Sequence, residues 1–246
     1  MNTIKNKLGS FFHSLRSLTL TTPHAIILAA ILIGGSHIVY GFVIRNAGTA
    51  PQSSLFAGKP IEENDLMTGD TKSDVLVIEY SDTQCPFCAS LYPTMKQLKD
   101  EYASKVGFVY RYFPLTQIHP DAYDEARAVY CVGKLSGAAK REEYINEIFD
   151  YKTTKQNMVL PPNGKIDLAK NIGVDGNALN ECLNSSEPAT AIDASMTDGI
   201  KAGVDGTPTT FVLLKTKKGY DVVSAISGAQ SYAYFKAAVE EALSRD

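Results

Sequence analysis

Two cysteines separated by two residues, Cys85-Pro86-Phe87-Cys88, are the residues best suited to chemistry in this 246-residue chain. A short apolar run, Asp74 to Tyr80, precedes them. A helical pattern follows, with Phe87, Leu91, Met95 and Leu98 at intervals of four, four and three. The pair therefore belongs at a strand-to-helix junction. A sulfur at the first turn of a helix faces unpaired backbone N–H groups and the positive end of the helix dipole, and both stabilise a thiolate. Pro86 suits the first helical position because it has no N–H to leave unsatisfied. Cys88, one turn on, can reach Cys85 and close a disulfide. Cys85 is expected to be the exposed nucleophile and Cys88 the more buried resolving thiol, with exchange running through a mixed disulfide.

Other uses of the pair fit less well. Half of a zinc site would need a second ligand pair. Cys131 and Cys182 stand alone, and three of the four histidines (His13, His24, His37) lie before or within the apolar N-terminal segment, leaving only His119. No metal is expected. An inert disulfide closing so small a ring gains little loop entropy.

The elements that must position the pair follow from periodicity. Asp74 to Tyr80 reads as a buried strand, then comes the helix, in which Pro93 predicts a kink or local break. Val106 to Phe113 is a second strand, closed by Pro114. A long helical region follows. Ala122, Ala126 and Val129 share a face in it, as do Tyr144, Ile145, Ile148 and Phe149; Leu179, Cys182 and Leu183 form another set, with Asp175 as N-cap. Ile192, Met196 and Ile200 continue at four-residue steps. Beyond Pro208 come strands at Thr209 to Leu214 and Asp221 to Ile226, with Lys218-Gly219 in the turn. A last helix, from about Ser231 to Leu243, buries Phe235, Val239 and Leu243. This order gives an α/β fold with βαβ and ββα halves and helices inserted between them. The first two strands should be parallel and the last two an antiparallel hairpin.

Charge is distributed unevenly. The chain is 44% hydrophobic and 21% charged with net charge −3, which argues against wholesale disorder and gives no footprint for nucleic acid. Residues 1–23 carry Lys5, Lys7 and Arg16 without an acid, leaving −6 on the rest. Ala25 to Ile44 is twenty residues without Asp, Glu, Lys or Arg, about 30 Å as a helix and enough to cross a bilayer. The expected arrangement is a basic cytoplasmic N-terminus (1–24), a transmembrane signal anchor (25–44), a Gly/Pro/Ser-rich linker (45–73) and an exported domain (74–246), its insertion at about 116–203. Two alternatives stay open: a cleaved signal peptide with a small-residue site near Gly48-Thr49-Ala50, and a buried core helix.

Beyond the cysteines, Glu79-Tyr-Ser-Asp-Thr-Gln-Cys-Pro-Phe-Cys88 resembles the active-site stretch of DsbA-like thiol:disulfide oxidoreductases, which use a thioredoxin fold with a helical insertion. Arg111-Tyr-Phe-Pro114 with His119-Pro120 resembles the family's segment after the second strand. Gly206-Thr207-Pro208-Thr209 resembles its cis-proline loop. The resemblance covers residues 74–244. It implies that Pro208 is cis and packs beside Cys85, and that Thr207 offers backbone hydrogen bonds to an extended substrate peptide. Glu79 matches an acid the family buries. Facing the interior, its carboxyl should titrate high and could deprotonate Cys88 as the mixed disulfide resolves.

Three positions depart from or complicate the pattern. Phe87 replaces the histidine of the strongest oxidants, Thr83 stands where relatives often have an aromatic, and Asp82 would oppose a nearby thiolate. Together they leave the redox potential open. Some relatives carry a structural disulfide in the insertion, so Cys131 and Cys182 form either a bridge, worth about 4 kcal/mol by loop entropy, or two separate buried thiols.

The implied activity is oxidation of cysteine pairs in unfolded or newly exported proteins outside the cytoplasm. It requires no cofactor. A DsbB-like or vitamin K epoxide reductase-like quinone-linked membrane protein would reoxidise the enzyme, which is expected to be a monomer. The alternatives are a disulfide reductase or isomerase, and a peptide-binding chaperone-like module without turnover.

Overall fold

Seven consecutive residues, Val75 to Ser81, are buried without exception, the pattern of a strand covered on both faces. They form the middle of the sheet in a computed structural model that describes residues 55–61 and 65–246. In chain order the elements are β1 (Met67–Gly69), β2 (Val75–Ser81), α1 (Pro86–Tyr102), β3 (Gly107–Tyr112), α2 (Ala122–Lys155), α3 (Gly164–Asn171), α4 (Gly176–Leu183), α5 (Glu187–Ala202), β4 (Thr209–Thr216), β5 (Gly219–Ser227) and α6 (Tyr232–Arg245).

The sheet order is β1-β3-β2-β4-β5. β2 and β3 are parallel, and β4 and β5 form an antiparallel hairpin, as the connections predict. Register places Glu79 opposite Tyr110 on one side and Thr210 on the other. Side chains alternate between faces, so Val75, Val77 and Glu79 share one face with Phe108 and Val212. That face is covered by Leu91, Met95 and Leu98 of α1 and by Phe235 and Val239 of α6. The opposite face carries Leu76, Ile78, Tyr80, Val109, Phe211 and Leu213.

Three expectations are corrected. The linker reading of 45–73 does not hold from Met67, where the chain joins β3 as an antiparallel edge strand. Gly69 makes this possible: its φ is 78°, and a Cβ there would stand 2.3 Å from the Val106 carbonyl oxygen. Leu55 likewise bridges to Asp221. Second, α1 continues through Pro93 without a break. Third, Ile192 is buried but Ile200, two turns on, is 64% exposed at the end of α5. Only the first part of that stripe reaches the core.

The insertion consists of α2 to α5. α2 is interrupted at Gly137, with φ 85° and ψ 179°, and its two arms fold back on each other. A straight helix would hold Glu125 and Lys152 about 40 Å apart, yet they meet at 2.5 Å. Tyr144, Ile145, Ile148 and Phe149 of the second arm and Ala126 and Val129 of the first pack into one core. Asp175 caps α4 through the amides of Asn177 and Ala178. Cys131 and Cys182 are bridged, tying α2 to α4 with Cα atoms 5.9 Å apart.

The span expected over 25–44 lies outside the described residues. Among the described residues no helix is long and apolar enough to cross a membrane.

Candidate active site

Cys85 is the N-cap of α1 and Pro86 its first helical residue. The junction works as the spacing predicts, because the N-cap keeps extended dihedrals (φ −75°, ψ 122°) while the next turn is already helical. Both motif cysteines are free thiols. The Cys85 thiol is held down to about 6, first by the hydrogen bond from the Cys88 side chain and further by the first-turn amides of Cys88 and Phe87. Burial works against this but does not win. Cys88 is pushed well above its ordinary value by burial and by the proximity of Cys85. One sulfur thus ionises easily and its neighbour holds its proton.

Cys85 is more enclosed than expected, with 3% of its surface accessible. The exposed member of the motif is Phe87, at 64%. Enclosure comes partly from the far end of the chain. The Thr207–Pro208 peptide bond is cis, and the Thr207 carbonyl oxygen lies 3.4 Å from Cys85 Sγ. The Thr207 hydroxyl is buried without a hydrogen-bond partner, and its proximity also favours the thiolate.

Glu79 is buried at 8% exposure, on the β2 face that α1 covers. Burial raises its carboxyl, partly offset by the Lys99 charge. Its own charge in turn helps hold Cys88 protonated. The predicted catalytic and substrate-binding residues therefore converge, whereas the Cys131–Cys182 bridge belongs to the insertion and reads as structural.

Asp82 does not oppose the thiolate as its charge suggests. Its carboxylate accepts from the amides of Gln84 (2.7 Å) and Leu115 (2.9 Å) and lies 2.7 Å from His119 Nδ1. Its backbone N–H points at Cys88 Sγ, 3.5 Å away.

A buried cluster beside this segment escapes sequence reading. The Thr83 hydroxyl donates to Glu125 Oε2 at 2.6 Å, and Lys152 Nζ donates both to that oxygen (2.5 Å) and to the Thr83 carbonyl (2.9 Å). Burial pushes Glu125 up and Lys152 down, each partly restored by the other. Charged residues on a helix usually face water, so nothing in their spacing marks them. Gln84 is tied to the same helix, exchanging bonds with Asp121. Next to them a cavity of about 370 Å³ is lined by Asp121, Glu125, Val159, Leu160, Pro161 and Lys165.

A thioredoxin family model matches residues 62–240. The chain belongs to the thioredoxin family. Its fold is similar to that of solved DsbA-like structures. The crystal structure of Wolbachia pipientis alpha-DsbA1 superposes with a TM-score of 0.62 at 21% identity, covering 75% of this chain and 94% of that one. A Rickettsia prowazekii chain provisionally named a protein-disulfide oxidoreductase is 30% identical over 62% of this chain and 55% of its own length. A thioredoxin-like stretch also matches a longer protein, the Salinispora tropica Na(+)/H(+) antiporter NhaA 3, at 29% identity over 71% of this chain. The chain spans about a quarter (26%) of that antiporter's length.

Proposed function

We propose that the protein is a thiol:disulfide oxidoreductase that oxidises cysteine pairs in exported, unfolded proteins. The observation that carries this reading is the split between the two sulfurs. Cys85 is held down to about 6 beside the Thr207 carbonyl, while Cys88 is buried and held protonated.

In the oxidised enzyme a substrate thiolate attacks Cys85 Sγ. The Cys85–Cys88 bond breaks and Cys88 leaves with the electron pair, taking up a proton. A second substrate thiolate then attacks the substrate sulfur of the mixed disulfide. Cys85 departs as a thiolate, stabilised by the same groups that lower its pKa. Two electrons pass from substrate to enzyme, and the substrate gains its disulfide. A readily ionised leaving sulfur favours the reduced enzyme, and so favours oxidation of the substrate. Glu79, buried on the α1 face, exchanges the Cys88 proton. The exposed apolar side chains Phe87 and Ile118 and the cavity beyond Asp121 suit an extended, unfolded segment laid against Thr207.

Residues 25–44 anchor the domain outside the cytoplasm in this reading, supported by the basic residues ahead of them and the twenty-residue span without Asp, Glu, Lys or Arg. A quinone-linked membrane protein of the DsbB or vitamin K epoxide reductase type takes up the two electrons.

The test is oxidation of a reduced, unfolded multi-cysteine protein by the disulfide form, with the potential fixed by equilibration against glutathione. A Cys85 midpoint near 6 lies between those of thioredoxin and DsbA, so the expected potential lies between about −270 and −120 mV. Retained oxidation by Cys85→Ala, or a potential at or below the thioredoxin value, would refute the reading.

A further inference from the structure

We infer that Glu125 and Lys152, contributed by the two arms of the insertion, are positioning residues for the Cys85 thiol, acting by gripping Thr83. The inference rests on the dithiol reading of the site given above.

Thr83 lies between the two points at which the loop touches the sulfurs. On one side, Asp82 presents its N–H to Cys88 Sγ and accepts from the Cys85 amide through its carbonyl at 3.1 Å. On the other side, Gln84 leads directly into the N-cap. Two polar groups of Thr83 are held: the hydroxyl by Glu125, the carbonyl by Lys152. Side-chain exposure of the pair is 0% for Lys152 and 1% for Glu125. The interaction crosses 42 residues to Glu125 and 69 to Lys152. Local chain geometry therefore cannot substitute for it.

Stability alone is a poor reason for such a pair, since buried ion pairs are often no better than apolar residues of the same volume. Glu125 Oε1 is moreover buried without a hydrogen-bond partner, an arrangement that costs free energy. What the pair supplies is direction. It fixes one rotamer of Thr83 and one orientation of its peptide group, and with them the approach of Cys85 to the Cys88 thiol and to the first-turn amides of Phe87 and Cys88. A phenylalanine at position 83 would leave Glu125 without the hydroxyl from which it accepts.

The experiment is the pH titration of the Cys85 thiolate, by ultraviolet absorbance and by alkylation rate, in the reduced full chain and in Thr83→Ser, Thr83→Val and Lys152→Met. Thr83→Ser keeps both polar groups and should titrate with the parent. Thr83→Val loses the hydroxyl and Lys152→Met loses the grip on the carbonyl. Both should move the midpoint up, by about one pH unit for Lys152→Met, which lowers the thiolate fraction below the midpoint about tenfold. Coincident titrations in all four proteins would overturn the inference, whatever happens to their melting temperatures. If Lys152→Met does not fold, the Thr83→Ser and Thr83→Val pair decides alone. A parent midpoint near that of a free thiol would defeat the site reading and this inference together.

Discussion

Adjacent residues of β2, Glu79 and Tyr80, point to opposite faces of the sheet, and the two faces treat buried charge differently. Behind Tyr80, Arg111 is saturated: it bonds Asp65 at 2.6 Å, Asp198 at 2.5 Å and the Tyr80 hydroxyl at 3.0 Å, and that hydroxyl donates to Asp198. On the other face Glu79 has no salt bridge among the described residues. The cation that offsets it, Lys99, is itself paired with Glu142. A saturated cluster has one protonation state and one geometry, which suits a structural role. A buried acid without a direct ion pair is easily switched between its two states, which suits proton transfer. The same strand thus separates a structural cluster from a reactive one.

Removing the cation from the saturated face should have the largest consequence. Arg111→Met leaves Asp65 and Asp198 without their shared partner and should cost about 3–5 kcal/mol of stability, measured by urea unfolding, with the Cys85 alkylation profile unchanged. A shifted profile would mean that the faces are not separable. Replacing Cys131 and Cys182 together by Ala should cost about 2–4 kcal/mol and likewise leave the profile in place.

On the reactive face the expectation reverses. Glu79→Gln should leave the unfolding midpoint nearly unchanged, because it removes a buried charge, but should slow formation of the mixed disulfide, the step in which Cys88 leaves and takes up a proton, about 100-fold. Stopped-flow mixing of the oxidised enzyme with a thiol substrate measures this, and an unchanged rate would exclude Glu79 from proton transfer.

The smallest effect is a linkage. Folding and the nearby groups depress the Cys85 pKa, so their stabilisation of the reduced enzyme is fully present above the unfolded thiol's value and is lost as pH falls through about 6. The unfolding midpoint of the reduced form should therefore decline relative to the oxidised form as pH is lowered across that window. A constant gap would contradict the depressed pKa.

Legibility in the sequence followed the range of the interactions. The cysteine pair, its N-cap position and the strands around it were readable because propensity, spacing and burial agree within ten residues. The Thr207–Pro208 loop was readable only through family resemblance, since nothing near Thr207 in sequence indicates a partner 122 residues away. β1 was missed because three residues, Met67–Gly69, are too few to show alternation and lie in a turn-rich stretch. The Thr83–Glu125–Lys152 cluster was missed because an isolated charge on a helix looks the same whether it meets water or a distant partner. The burial of Cys85 was missed because the covering groups come from another part of the chain.

The pH profile of Cys85 alkylation in the reduced full chain is the most direct test of the whole account. A single rise in rate centred near pH 6, absent in Cys85→Ala, is predicted. A rise centred near 9, the value of an unassisted thiol, would contradict it.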